Sequence, residues 1–176
     1  MNERTGHATQ AFVADREPRE SRFDRPENTG ELANKPAGGL WTSTLRDDGT
    51  SAWVEWCRAE RWGLTDESRL FTLEPDADVS VLVVDSETDL HALLDRFGRD
   101  DPGFLPKQQF ARIDFELIAT AYDAVHLTDA GQRATRFSRP GLYGWDCEST
   151  LWTRWCFDAV VDLGAEALPT TEAGDE

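Results

Sequence analysis

The chain has 176 residues with 34 acidic and 18 basic side chains, a net charge of −16. It is long enough for one domain with a real core, and no apolar run approaches the roughly 20 residues needed to cross a bilayer. The order Met-Asn-Glu-Arg-Thr-Gly-His lacks the basic and then apolar pattern of a signal peptide, so a soluble, cytoplasmic protein is expected.

An acidic excess this large repels itself in dilute buffer, and molar salt removes most of that cost. Lys35 and Lys107 are the only lysines. Two readings fit: a high-salt cytoplasm, as in a halophilic archaeon, or a GC-rich genome in which arginine replaces lysine. Either way, direct nucleic-acid binding is not expected, because it rests on clustered Lys and Arg. Cys57, Cys147 and Cys156 are an odd number without Cys-x-x-Cys spacing, and His7, His91 and His126 are dispersed, so neither a disulfide framework nor a metal site is expected.

Residues 1–33 are polar, with Phe12, Val13, Phe23 and Leu32 as their only sizeable apolar side chains. They are expected to form a polar N-terminal arm, flexible alone and ordered by a protein partner or by self-assembly, with Arg22 to Arg25 able to add a short edge strand. Residues 34–164 are expected to be the globular domain. Its first strand is Leu40 to Leu45, where Trp41, Thr42, Ser43 and Thr44 alternate after the Gly38-Gly39 turn, and those glycines allow a close backbone approach. Thr50 or Ser51 caps a helix in which Trp53, Trp56 and Cys57 share one side, predicted to face the core and to stop near Gly63. Leu70 to Leu73 is a short strand. Val79 to Asp85 reads as a strand buried on both faces, and Ser86 caps a helix that ends at Gly98. A loop covers 100–107, a helix 113–122, and a strand Asp123 to Thr128.

The richest stretch is Gly141 to Cys156. It holds Trp145, Trp152, Trp155, Tyr143, Cys147 and Cys156 around the carboxylates of Asp146 and Glu148. Read as one long or bulged strand through Phe157, it puts Trp145, Cys147, Leu151, Trp155 and Phe157 on a core face and Asp146, Glu148 and Trp152 on the other. Residues 165–176 form an acidic tail. The fold class expected is α+β: a single domain with a mixed, partly split β-sheet flanked by two or three helices.

Two carboxylates at Asp-x-Glu spacing on a strand lie about 7 Å apart at their α-carbons, which suits one to hold a hydroxyl while the other steadies an oxocarbenium ion. The competing reading is a solvated strand face paired with Arg154. Cys147 in an apolar setting reads as structural rather than as a nucleophile, and His126 as a half-buried strand histidine.

The Gly-Gly-Leu-Trp-Thr-Ser strand followed late by acid-x-Glu resembles the order in ADP-ribosyltransferase-like proteins. The resemblance spans about 115 residues and implies a split, mixed β fold whose Ser/Thr-bearing strand cradles nicotinamide. It further implies that Glu148 is the catalytic Glu, that Asp146 orients the substrate, and that Trp41, Thr42, Ser43 and Tyr143 line the site for NAD or another small nucleotide. NAD is then a substrate whose ADP-ribose passes to an unknown acceptor. The alternative is a non-enzymatic structural or interaction protein of a halophilic archaeon or its virus, virion-associated, with the arm ordered by assembly.

Overall fold

The computed structural model describes residues 2–29, 34–100 and 109–168. The loop expected over 100–107 lies outside these apart from Asp100, as do the tail beyond Leu168 and the last residues of the N-terminal segment. The described residues have the α+β architecture expected: eight strands in one mixed sheet, with four α-helices.

The N-terminal segment is not a separate arm. It supplies strands β1 (Asn2–Thr5) and β2 (Gln10–Ala14), followed by a 3-10 turn at Glu20–Arg22 where an edge strand over Arg22 to Arg25 was expected. Next come β3 (Leu40–Thr44), α1 (Ala52–Ala59), β4 (Arg69–Pro75), β5 (Ser80–Val84) and α2 (Glu87–Phe97). The chain finishes with α3 (Phe115–Ile118), β6 (Ala124–Leu127), α4 (Asp129–Thr135), β7 (Ser149–Trp152) and β8 (Phe157–Gly164). The strand order is β1-β5-β6-β7-β3-β2-β4-β8. Among the described residues only β5 and β6 are paired in parallel, with α2 and α3 between them in sequence.

β2 sits inside the sheet because its polarity is used: Gln10 is fully buried, and Phe12 packs on the core. A count of apolar residues missed this, because the segment borrows its apolar partners from β4 and β5. The sheet curls on itself, so Phe71 and Leu73 of β4 share one core with Val81 and Val83 of β5, Ala124 of β6 and Trp152 of β7. The other side of β5, β6 and β7 packs Leu82, Val84, Val125, Leu127 and Leu151 against Leu90, Leu93 and Phe97 of α2. β5 is therefore buried on both faces, as its unbroken apolar run predicts.

Several local expectations change. In α1 the side chain of Ser51 caps as expected, accepting from Val54 N at 3.3 Å, but the face turned inward carries Ala52, Val54 and Cys57. Trp53 and Trp56 stack on each other at 5.2 Å, beside Trp62, which is 56% exposed. The helix expected over 113–122 is a single turn, because Ile113 bridges Gly98 and the chain must enter β6 at Ala124. The long strand through Phe157 is broken: Thr153 turns the chain by donating through N to Asp123 O (2.9 Å) and through Oγ1 to Tyr122 O (2.6 Å). Beyond that turn Trp155 and Phe157 join Trp152's core instead of Leu151's. No helix among the described residues is long and apolar enough to cross a membrane.

Candidate functional site

The site is built where the sheet forks. β2 and β3 pair only through Gln10↔Thr44 and Ala11↔Ser43. Beyond that, β2 continues along β4 through Phe12 and Val13, while β3 continues along β7 through Thr42 and Trp41. Gly39 makes the second pairing tight: a β-carbon there would lie 2.4 Å from Leu151 Cδ1 and 3.0 Å from Trp152 O, and its φ is +68°. That is the close approach the two glycines predict.

The β3–β7 register runs Leu40↔Trp152, Trp41↔Leu151, Thr42↔Thr150, so Glu148 stands opposite Thr44 where the ladder would continue. There the Glu148 carboxylate replaces a strand partner. It accepts from Ser43 Oγ at 2.6 Å, Thr44 Oγ1 at 2.8 Å and Thr44 N at 3.1 and 3.2 Å. Glu148 is 6% exposed. Burial raises its pKa above the ordinary 4.5, while the donors of Ser43 and Thr44 pull the other way and the nearby Asp129 adds to the rise.

Two histidines complete this polar cluster. Thr150 Oγ1 lies 2.9 Å from His126 Nδ1 and 3.1 Å from His7 Nε2, and the rings meet edge to face at 4.6 Å. Burial lowers the His126 pKa to about 3, with His7 adding to the effect, and the His7 pKa to about 4. Both are therefore neutral at pH 7, and the 3.5 Å separation of His126 Nδ1 from Glu148 Oε1 is a contact of a neutral ring with a carboxylate.

Two cavities flank this cluster. One, of about 390 Å³, is lined by Glu148, His126, Thr44, Arg46, Arg133, Asp85, Thr128 and Asp129. It opens at the carboxyl ends of the parallel strands β5 and β6, beside Asp85 and Thr128. The other, of about 300 Å³, lies in the fork itself, between Phe12 and Val13 of β2 and Trp41 and Thr42 of β3, with Trp53, Trp145, Lys35, Asp146, Cys147 and Ser149 as further walls.

The residues singled out in the sequence are thus divided. Ser43 and Glu148 are in direct contact; Trp41, Thr42 and Asp146 line the fork cavity instead. Asp146 does not join Glu148's contacts: it faces Arg136 NH2 at 3.5 Å and Lys35 Nζ at 4.0 Å. Tyr143 lines neither cavity; it is 54% exposed and packs near Phe110 and Phe137. Arg154 pairs with Asp123, not with either carboxylate of the motif. The Cys147 thiol is pushed up to about 12 by burial and by the neighbouring Glu148 and Asp146, so it remains protonated and a poor nucleophile. Sequence reading passed over His7, Arg46 and Arg133. His7 lay in the segment taken for an arm, and the two arginines carry no local motif. Among the described residues no group of three or more His, Cys, Asp or Glu is placed to hold a metal.

Comparison with family models, curated proteins and solved structures found no match.

Proposed function

We propose that the protein is an ADP-ribosyltransferase-like enzyme that cleaves the nicotinamide–ribose bond of NAD, with Glu148 as the carboxylate facing the reacting sugar. The observation that carries this reading is the Ser43 Oγ to Glu148 Oε2 hydrogen bond of 2.6 Å: two motifs 105 residues apart meet at one carboxylate beside a cavity. In this reading Ser43 and Thr44 hold the carboxylate in one orientation. Glu148 then accepts a ribose hydroxyl and stabilises the positive charge that grows on the sugar as nicotinamide departs. Its raised pKa makes it a stronger acceptor than a carboxylate in water. Arg133 lines the same cavity and offers a cation for a diphosphate, beside Arg46, which is held by Glu55 at 2.5 Å and faces Asp129 at 4.0 Å.

The test is nicotinamide release from NAD in concentrated KCl, followed by proton NMR. Wild-type protein is expected to release nicotinamide and Glu148→Gln to lose about 100-fold or more of that rate. No release by the wild type with a range of acceptors supplied, or equal release by the variant, rejects the reading.

A second reading, an interaction protein, draws on the exposed aromatic group of Phe137 (77% exposed) and Tyr143, with the Arg136 guanidinium 5.6 and 5.8 Å from their ring centres. It no longer draws on an arm awaiting a partner, since β1 and β2 are ordered within the chain's own sheet. Light scattering separates it: a monomer at all concentrations, unchanged by Phe137→Ser, argues against self-assembly through this patch.

A further inference from the structure

We infer that the fork cavity is a binding site for a free planar nitrogen heterocycle of nucleoside size, held against indole rings with its polar edge between Asp146 and Lys35. This stands independently of whether Glu148 cleaves NAD.

The shape follows from the sheet. β2 and β3 separate after two residue pairs, so a slot opens between neighbouring strands, closed by Lys35 before β3 and by Trp145, Asp146 and Cys147 before β7. Its walls are Trp41, Trp53 and Trp145. Trp145 is locked: its Nε1 donates to Asn34 O at 2.6 Å, and its ring meets Trp41 edge to face at 4.7 Å. Trp53 is stacked on Trp56 at 5.2 Å between ring centres. Flat walls held by ring contacts suit an aromatic ring more than an alkyl chain.

The chemistry of the edge follows from the two charges. Asp146 and Lys35 both line the cavity, and their closest charged atoms are 4.0 Å apart; Arg136 donates to Asp146 O at 3.0 Å but comes only within 3.5 Å of its carboxylate. Neither distance is a tight ion pair, so the carboxylate can accept from a ring N–H or amino group while the ammonium donates to a ring nitrogen or carbonyl. Purine-like edges carry donor and acceptor side by side. Lys35 also lies 5.6 Å from the centre of the Trp41 ring, so one cation serves both the wall and the ligand edge. The net charge of −16 opposes a polynucleotide, which leaves a free base or nucleoside.

Adenosine is the probe and ribose the control, titrated by calorimetry at constant KCl into wild type, Lys35→Ala, Asp146→Asn and Trp53→Ala. Lys35 and Asp146 are partly exposed, so their variants are expected to fold, which circular dichroism verifies. The expected result is one adenosine per chain, no heat from ribose, and affinity reduced about tenfold or more in Trp53→Ala and measurably in both edge variants. Glu148→Gln is expected to retain adenosine binding, so loss of catalysis and loss of this site are read apart. Absence of adenosine binding, binding of ribose alone as tightly, or unchanged affinity in folded Lys35→Ala and Asp146→Asn overturns the inference.

Discussion

A hydroxyl carries one proton, and that fixes the order of the buried cluster around Thr150. Its Oγ1 contacts His7 Nε2 and His126 Nδ1, so it donates to one ring and accepts from the other. The Glu148 carboxylate 3.5 Å from His126 Nδ1 favours a proton on that nitrogen, which makes His126 the donor and His7 Nε2 the acceptor. Both rings have folded pKa values below the unfolded 6.5, lowered chiefly by burial; Arg4 adds to the effect on both, and Asp85 opposes it at His126. Stability from the pair is therefore complete above about 6.5 and lost as pH falls toward about 4 and about 3, with a slope of up to about 1.4 kcal/mol per pH unit for each ring. Glu148 acts in the opposite direction, since its raised pKa costs stability as pH rises above 4.5. Two rings outweigh one carboxyl, so urea midpoints are expected to fall between pH 6.5 and 4.5, and to fall less steeply in His126→Asn. At the carboxylate itself, Glu148→Ala leaves the donors of Ser43 and Thr44 unpaired and is expected to cost about 1–3 kcal/mol by urea unfolding. Glu148→Gln, which keeps an acceptor, is expected to cost less.

The forked part of the sheet is joined by Thr42. Its Oγ1 donates to Gln10 Oε1 at 2.6 Å and accepts from Trp152 Nε1 at 2.8 Å, linking β2, β3 and β7. Thr42→Val strands both buried partners, and a loss of about 1–3 kcal/mol is expected by denaturant unfolding. β2 lies between β3 and β4, so deletion of residues 1–14 is expected to abolish the cooperative unfolding transition; a truncated chain that still unfolds cooperatively contradicts this topology. These elements also show what could be read in advance. The β-branched run of β5, the Ser86 cap and the stop at Gly98 are local signals, and local reading found them. Trp53 and Cys57 carry the right helical spacing, but which face turns inward depends on Ala11 and Leu70 of distant strands. Likewise Glu148 is legible as a candidate and Ser43 as its companion, whereas Asp146 and Glu148 both precede β7, which starts at Ser149, so strand alternation does not put them on one face. Period alone does not locate a strand's first residue.

Across the whole molecule the acidic surface sets the conditions. With a net charge of −16, self-repulsion is long-ranged at low ionic strength and confined to about 3 Å at 1 M salt. The melting temperature is expected to rise between 0.05 and 2 M KCl, on the order of several degrees; a flat or falling curve in calorimetry contradicts a role for salt. Function is best assayed under the same conditions, because Arg46 and Arg133 lie among Asp85 and Asp129 at the cavity. In the proposed reaction Glu148, held by Ser43 and Thr44, stabilises the sugar cation as nicotinamide leaves NAD. Nicotinamide release measured side by side in 2 M KCl decides it: wild type is expected to be fastest, Ser43→Ala slower with its carboxylate less firmly oriented, and Glu148→Gln about 100-fold or more below wild type. Equal rates in wild type and folded Glu148→Gln, or no release from any of the three, contradict it.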